Sequence, residues 1–209
     1  MEEARGSKVV IRFDARKCIH SRHCVLEAPE VFQANVQGPW IQPDQASVEK
    51  VVRVALACPS GAITYERLDS QPQEAAPAVN AMRVRENGPL AIQADLRIGK
   101  HFLGYRATLC RCGQSANKPF CDGAHSGAGF TASGEPASGK TDMLPHRGGV
   151  LEVTPVPNGP LQVDGNLEIC SGTGRVVART TQTWLCRCGA SENKPFCDGS
   201  HKKTGFRAD

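Results

Sequence analysis

Cys110, Cys112, Cys121 and His125 follow the spacing Cys-x-Cys-x8-Cys-x3-His, and Cys186, Cys188, Cys197 and His201 repeat it without a change. Three thiolates and an imidazole on one short segment form a soft to borderline ligand set, suited to zinc or to iron. Two thiolates one residue apart face a common centre only where the backbone curls, and Gly113 and Gly189 directly follow each pair. Pro119 and Pro195 fix the turn that returns the third cysteine. Asp122 and Asp198 stand where a helix N-cap belongs, so one helical turn would set the histidine beside that cysteine. Ser115 and Ser191 read as loop-stabilising hydrogen bonders and not as ligands. Lys118, Lys194, Arg111 and Arg187 lie inside the motifs, where they are either solvated side chains on a tight loop or cations that neutralise bound charge.

The elements that must position these ligands are themselves duplicated. Leu109 to Phe130 recurs as Leu185 to Phe206, and upstream Asn87 to Ile98 matches Asn158 to Ile169. The step from Cys110 to Cys186 is longer than that from Asn87 to Asn158, so the second copy holds five extra residues, which the Gly-rich stretch Ser171 to Arg175 accommodates. Short β-branched runs broken by Gly and Pro, such as Leu161–Val163 and Val176–Thr183, predict β modules with little helix. Residues 82–145 and 146–209 are therefore two tandem modules. Residues 69–81, rich in Pro, Ala and polar side chains, read as a linker, which separates off residues 1–68. There Lys8–Asp14 alternates as a strand, Asp44–Ala57 carries apolar residues at helical spacing behind Asp44 as cap, and Ala62–Tyr65 closes as a strand.

Composition narrows the function. Ten cysteines in 209 residues fall below the roughly 8–10% of a disulfide scaffold. The N-terminus has no run of signal-peptide length, and nowhere do about 18 apolar residues follow one another. A soluble protein with no membrane span, in the reducing cytoplasm, is expected, where spaced cysteines more often bind metal than pair. The net charge of +4 is diffuse, without a basic run interleaved with aromatics, so no nucleic-acid partner is expected. No nucleotide-binding glycine loop or nucleophile motif stands out, which predicts a protein without turnover of its own.

The pattern resembles the CDGSH iron–sulfur domain family, whose signature joins Cys-x-Cys to a Ser or Thr, a Pro and Cys-Asp-Gly-(Ser/Ala)-His. Cys197–His201 is CDGSH to the letter, and Ala124 replaces the serine in the first copy. The resemblance implies a 2Fe–2S cluster in each copy, with two cysteines on the inner iron and one cysteine plus the histidine on the outer. Many members are homodimers, so the tandem pair implies a monomer folded as an intramolecular pseudo-dimer. Zinc remains the alternative metal, and visible absorption separates the two. Two ferric ions, two sulfides and three thiolates sum to a charge of about −1, which favours reduction as histidine ligation does in Rieske centres. An imidazole can also take up a proton, so a pH-dependent potential and loss of the cluster in acid are expected. A His201→Cys chain that kept both properties would overturn that account.

Residues 6–68 resemble divergent single-cluster ferredoxins. Bacterial ferredoxins use Cys-x2-Cys-x2-Cys with a distant Cys-Pro, and here the run is Cys18, Ser21, Cys24 and then Cys58-Pro59. Three cysteines suit a 3Fe–4S cluster; a 4Fe–4S cluster with Ser21, His20 or His23 on the fourth iron and a degenerate empty site are the alternatives. Of the ten cysteines this leaves Cys170, read as a small buried apolar residue, while His101 and His146 fit no motif. The fold class expected is α+β: a small ferredoxin-like α+β domain, then two β-rich CDGSH modules. The function expected is electron transfer with a redox partner protein. Donation of histidine-ligated clusters to an apo iron–sulfur acceptor, or redox and pH sensing, is the second hypothesis, and a metal-stabilised interaction module the third.

Overall fold

A computed structural model describes residues 1–208. The chain divides into two compact units, Met1–Ala75 and the part from Ala76 onward. No helix among the described residues is long and apolar enough to cross a membrane.

In the first unit, β1 (Glu2–Arg5), β2 (Val9–Phe13) and β3 (Ile63–Arg67) form an antiparallel sheet in the order β1-β2-β3. The short helix α1 (His23–Glu27) and the helix α2 (Val48–Ala57) complete the unit. Val48, Val51, Val54 and Ala55 bury one face of α2 among Val9, Ile11, Phe32 and Ile63. Each large aliphatic side chain so buried contributes about 1.5–3 kcal/mol. Ser47, not Asp44, caps α2: its backbone is extended and its hydroxyl accepts from Lys50 N at 3.3 Å. Asp44 lies in the preceding 3-10 turn, where its carboxylate accepts from the backbone N (2.8 Å) and hydroxyl (2.9 Å) of Ser7 and so ties the β1–β2 turn.

The second unit is one six-stranded sheet built from both repeats. Its strands are β4 (Ala81–Val84), β5 (Leu90–Ile98), β6 (His101–Leu109), β7 (Val150–Pro155), β8 (Leu161–Cys170) and β9 (Val176–Leu185). Within the first repeat β4 and β6 pair antiparallel with β5, and within the second β7 and β9 pair antiparallel with β8. The repeats then exchange strands: β4 runs parallel to the second half of β8, and β7 parallel to the second half of β5. Leu90, Ile92, Leu96, Leu161, Val163, Leu167 and Ile169 all enter a single core. The five extra residues fall where β8 turns into β9, at Ser171–Arg175 with lengthened strand ends, against Gly99–Lys100 in the first copy. Asn80 and Ala81, at the end of the segment read as linker, belong to this unit. Asn80 is buried and its side chain donates to the carbonyls of Gly149 and Asn166, both at 2.9 Å.

Candidate metal centres

Both repeated motifs grow from the end of a sheet strand. Leu109 and Leu185 close β6 and β9 and bridge antiparallel to Phe120 and Phe196 across the loop. Cys110 N donates to Pro119 O (2.8 Å) and Cys121 N to Thr108 O (2.9 Å); Cys186 N donates to Pro195 O (2.8 Å) and Cys197 N to Trp184 O (2.9 Å). These bonds return the third cysteine to the first. The buried Ser115 hydroxyl donates to Phe120 O at 2.6 Å and accepts from Asn117 N at 3.0 Å, and Ser191 does the same with Phe196 and Asn193. Both act on the loop, as the sequence suggests. The peptide bonds before Pro119 and Pro195 are cis.

The cap differs from expectation. Gly123 and Gly199, in the left-handed region, precede the helical turns, α3 (Ala124–Gly127) and the 3-10 turn Ser200–Lys202. One oxygen of Asp122 accepts from Ala124 N (3.0 Å) and the other from Ala116 N (2.8 Å) across the loop; Asp198 bonds Ser200 N and Glu192 N likewise. These carboxylates fasten the loop to the turn, which glycine at φ 88 and φ 86 starts without a Cβ penalty. Burial raises the Asp122 carboxyl, but the bonds from Ala124 and Ala116 outweigh it and hold it below the usual range.

The ligand atoms come together in pairs. Cys110 and Cys112 Sγ are 3.7 Å apart, as are Cys186 and Cys188; Cys121 Sγ is 3.4 Å from His125 Nδ1, and Cys197 Sγ 3.5 Å from His201 Nδ1. A tetrahedral ion with bonds of about 2.3 Å to sulfur and about 2.0 Å to nitrogen holds two thiolates ~3.7 Å apart, and a thiolate and an imidazole ~3.5 Å apart. Each pair thus fits one ion. Among the described residues no three His, Cys, Asp or Glu side chains gather about a single ion. Hydrogen bonding from Cys112 draws Cys110 down to about 6 and pushes Cys112 up. Burial pushes Cys121 up to about 11 and raises Cys186.

Arg111 and Arg187 are among the most deeply buried side chains of the chain, which excludes the solvated reading. Arg111 donates to the carbonyls of Gly88 (2.9 Å), Ser133 (3.0 Å), Arg85 (2.5 Å) and Ala132 (3.1 Å), and lies 5.4 Å from the Phe130 ring. Arg187 repeats this with Gly159, Val156 and Ala208, and with Phe206 at 5.5 Å. Each guanidinium fastens its cysteine loop to the upstream turn and to the tail that follows the histidine. The ammonium groups of Lys118 and Lys194 donate to Ser115 O and Ser191 O, and Lys118 also lies 5.9 Å from the Phe206 ring of the other copy. A Cβ on Gly113 would stand 2.5 Å from Cys188 O, and one on Gly189 would press as closely on Cys112 O. Glycine therefore serves close approach between the two loops as well as the curl.

In the first unit Cys18, Ser21, Cys24 and Cys58 line one cavity of about 620 Å³, with His20, His23 and Ser60 on its wall and Phe13 and Trp40 also facing it. Cys18 follows a 3-10 turn, Cys24 sits in α1, and Cys58 terminates α2. His20 and Arg22, both at positive φ, carry the loop around Ser21. His23 Nε2 lies 2.9 Å from Glu27. Burial raises the Cys18 and Cys24 thiols, as it does Cys121 and Cys186, so these cysteines need the charge of a bound metal to be thiolates at neutral pH. Cys170 is buried at the end of β8, as a small apolar residue would be.

Folds built twice around Cys-x-Cys and CDG(S/A)H, behind a three-cysteine unit, define an iron–sulfur protein. The family described as "Iron-binding zinc finger CDGSH type" matches residues 87–126 and 158–202, and "Divergent 4Fe-4S mono-cluster" matches residues 4–68. The chain belongs to the CDGSH iron–sulfur proteins and carries a divergent mono-cluster domain ahead of its two CDGSH modules. It is 40% identical over 60 residues, 29% of this chain and 78% of the relative, to the "Uncharacterized protein YjdI" of Escherichia coli strain K12. The same figures hold for the protein of that name in Escherichia coli O157:H7.

Proposed function

We propose that this chain is an electron carrier with two 2Fe–2S clusters, one held by Cys110, Cys112, Cys121 and His125 and the other by Cys186, Cys188, Cys197 and His201. The observation that carries the reading is the pairing of ligands at single-ion spacing, 3.7 Å with 3.4 Å and 3.7 Å with 3.5 Å, with no third ligand gathered to either pair among the described residues, which supports two irons per site over one zinc. When bound, such clusters supply one-electron chemistry. The chain orients the thiolates and leaves His125 and His201 half-buried, nearer solvent than Cys110 and Cys186. The exchanged strands and the reciprocal Gly113–Cys188 and Gly189–Cys112 contacts support an intramolecular pseudo-dimer.

Cys18, Cys24 and Cys58 hold the third centre. Three thiolates suit 3Fe–4S; the matching family is named for a four-iron centre, and Ser21 on the same wall would complete that form. The test is anaerobic purification, iron and sulfide counting, then redox titration followed by electron paramagnetic resonance. Reversible reduction at defined potentials without iron loss is expected. Transfer of iron to an apo-ferredoxin, with no reversible couple, would replace the carrier reading by the donor one.

A further inference from the structure

Duplication makes a difference between the two copies informative, because the ligands and loop bonds are the same while the surroundings of the histidines are not. From Leu109 to Thr131 the charges are Arg111, Lys118 and Asp122, a net of +1. From Leu185 to Arg207 they are Arg187, Lys194, Lys202, Lys203 and Arg207 against Glu192 and Asp198, a net of +3. The gain lies beside one ligand. Lys202 follows His201 on its 3-10 turn, Lys203 caps that turn, and Arg207 follows Phe206; all three are exposed, where the first copy has the exposed Ser126, Gly127 and Thr131. The fold adds a fourth cation from the other copy, since Lys118 stands 5.9 Å from the Phe206 ring; Lys194 reciprocally shares a cavity with Thr131, but brings Glu192 with it where the first copy has Ala116. Glu192 is the added carboxylate, and its backbone N is tied to Asp198 on the loop before the turn.

We propose that the two cluster sites are not equivalent, and that the rim of the second, formed by Lys202, Lys203, Arg207 and Lys118, is the docking face for an acidic redox protein. The inference rests on the electron-carrier reading. A cationic rim at the solvent-near ligand steers an anionic partner to where electron transfer is shortest, while the first copy has no cation at the matching positions and the Lys194 beside its Thr131 is accompanied by Glu192. The exchange is one electron, leaving the partner's reduced centre and arriving on this chain, with no bond formed or broken. Histidine ligation raises a 2Fe–2S centre above the all-cysteine plant-type ferredoxins, so a reduced acidic ferredoxin supplies the electron downhill.

The test uses the full-length, cluster-loaded chain and an acidic plant-type ferredoxin. Binding of the oxidised pair is measured by calorimetry, and electron transfer from reduced ferredoxin by stopped flow, between about 10 mM and about 0.3 M ionic strength. Both should weaken steeply with salt. K202E/K203E/R207E should lower affinity and rate about tenfold or more at low salt and flatten the salt dependence. The matched S126E/G127E/T131E should change either less than about twofold, and S126K/G127K/T131R should strengthen binding. Should the charge-reversed chain lose its clusters, K202Q/K203Q/R207Q carries the comparison. Equal effects at the two copies, salt-independent binding by the wild type, or tighter binding to duplex DNA than to ferredoxin would overturn the docking face and leave the carrier reading intact. A loaded chain that dithionite reduces and ferredoxin cannot would overturn the carrier reading and this inference with it.

Discussion

The CDGSH motifs carry all four proposed ligands on one short loop closed by its own backbone bonds, whereas the N-terminal cavity collects Cys18 and Cys24 from a turn and a short helix and Cys58 from the far end of α2. Closing a longer loop costs more entropy, and in the first unit that cost is met by the core between α2 and the sheet. The first kind of site needs its loop; the second needs its whole unit. Small metal sites can thus be local or distributed, and perturbing each tells them apart.

The largest effect expected is loss of a centre. Cys121→Ala should remove about two irons per chain, and Cys24→Ala the irons of the first unit alone, with the visible absorption of the remaining centres kept. Iron analysis of both variants checks this, and unchanged iron in Cys24→Ala would mean the N-terminal cavity holds no cluster. Next, Gly113→Ala or Gly189→Ala forces a Cβ against the opposite loop at positive φ, and should destabilise the second unit by about 2–4 kcal/mol in thermal unfolding. A loss below about 1 kcal/mol would show that the loops move apart without cost.

Acidity gives a graded comparison. Folded-state thiol values raised by burial, Cys121 to about 11, mean that loading must release protons held more tightly than in a free thiol. Reconstitution of the apo-chain with iron and sulfide should therefore quicken with pH, by up to about tenfold per unit, through the range below about 9. A flat profile would show that the loop thiols are already ionised. The smallest effect is local to the first unit: Ser47→Ala removes the cap of α2 and should cost about 1 kcal/mol by urea unfolding. Iron held by Cys58 should fall with it if that site depends on its whole unit, while the CDGSH iron stays constant.

The grouping of the candidate ligand residues, the repeat, and the strands at Val9–Phe13 and Ile63–Arg67 were legible in the sequence because spacing and alternation are local signals. The exchanged strands were not. Ala81–Val84 and Val150–Pro155 are short, and nothing in their own residues says that each pairs in parallel with the other repeat. Arg111 and Arg187 stayed ambiguous for the same reason. A charge between two cysteines reads as solvated or as facing the metal, but carbonyls distant in sequence, Gly88 and Arg85 for one and Gly159 and Val156 for the other, satisfy it in the interior. Ser47 rather than Asp44 at the head of α2 reflects competition, since the Asp44 carboxylate is already committed to Ser7. Both motif aspartates brace their loops one residue before the capping glycine, a role that spacing alone does not separate from capping.

The strand exchange has an evolutionary consequence. In a two-fold homodimer every substitution is made at both sites at once, so neither can specialise. Here each repeat lends the other a strand within one polypeptide, which keeps the partners together whatever their surfaces become. One site is then free to acquire charges such as Lys202 and Lys203 while its twin keeps Ser126 and Gly127. Covalent linkage turns a symmetric object into one with two addresses.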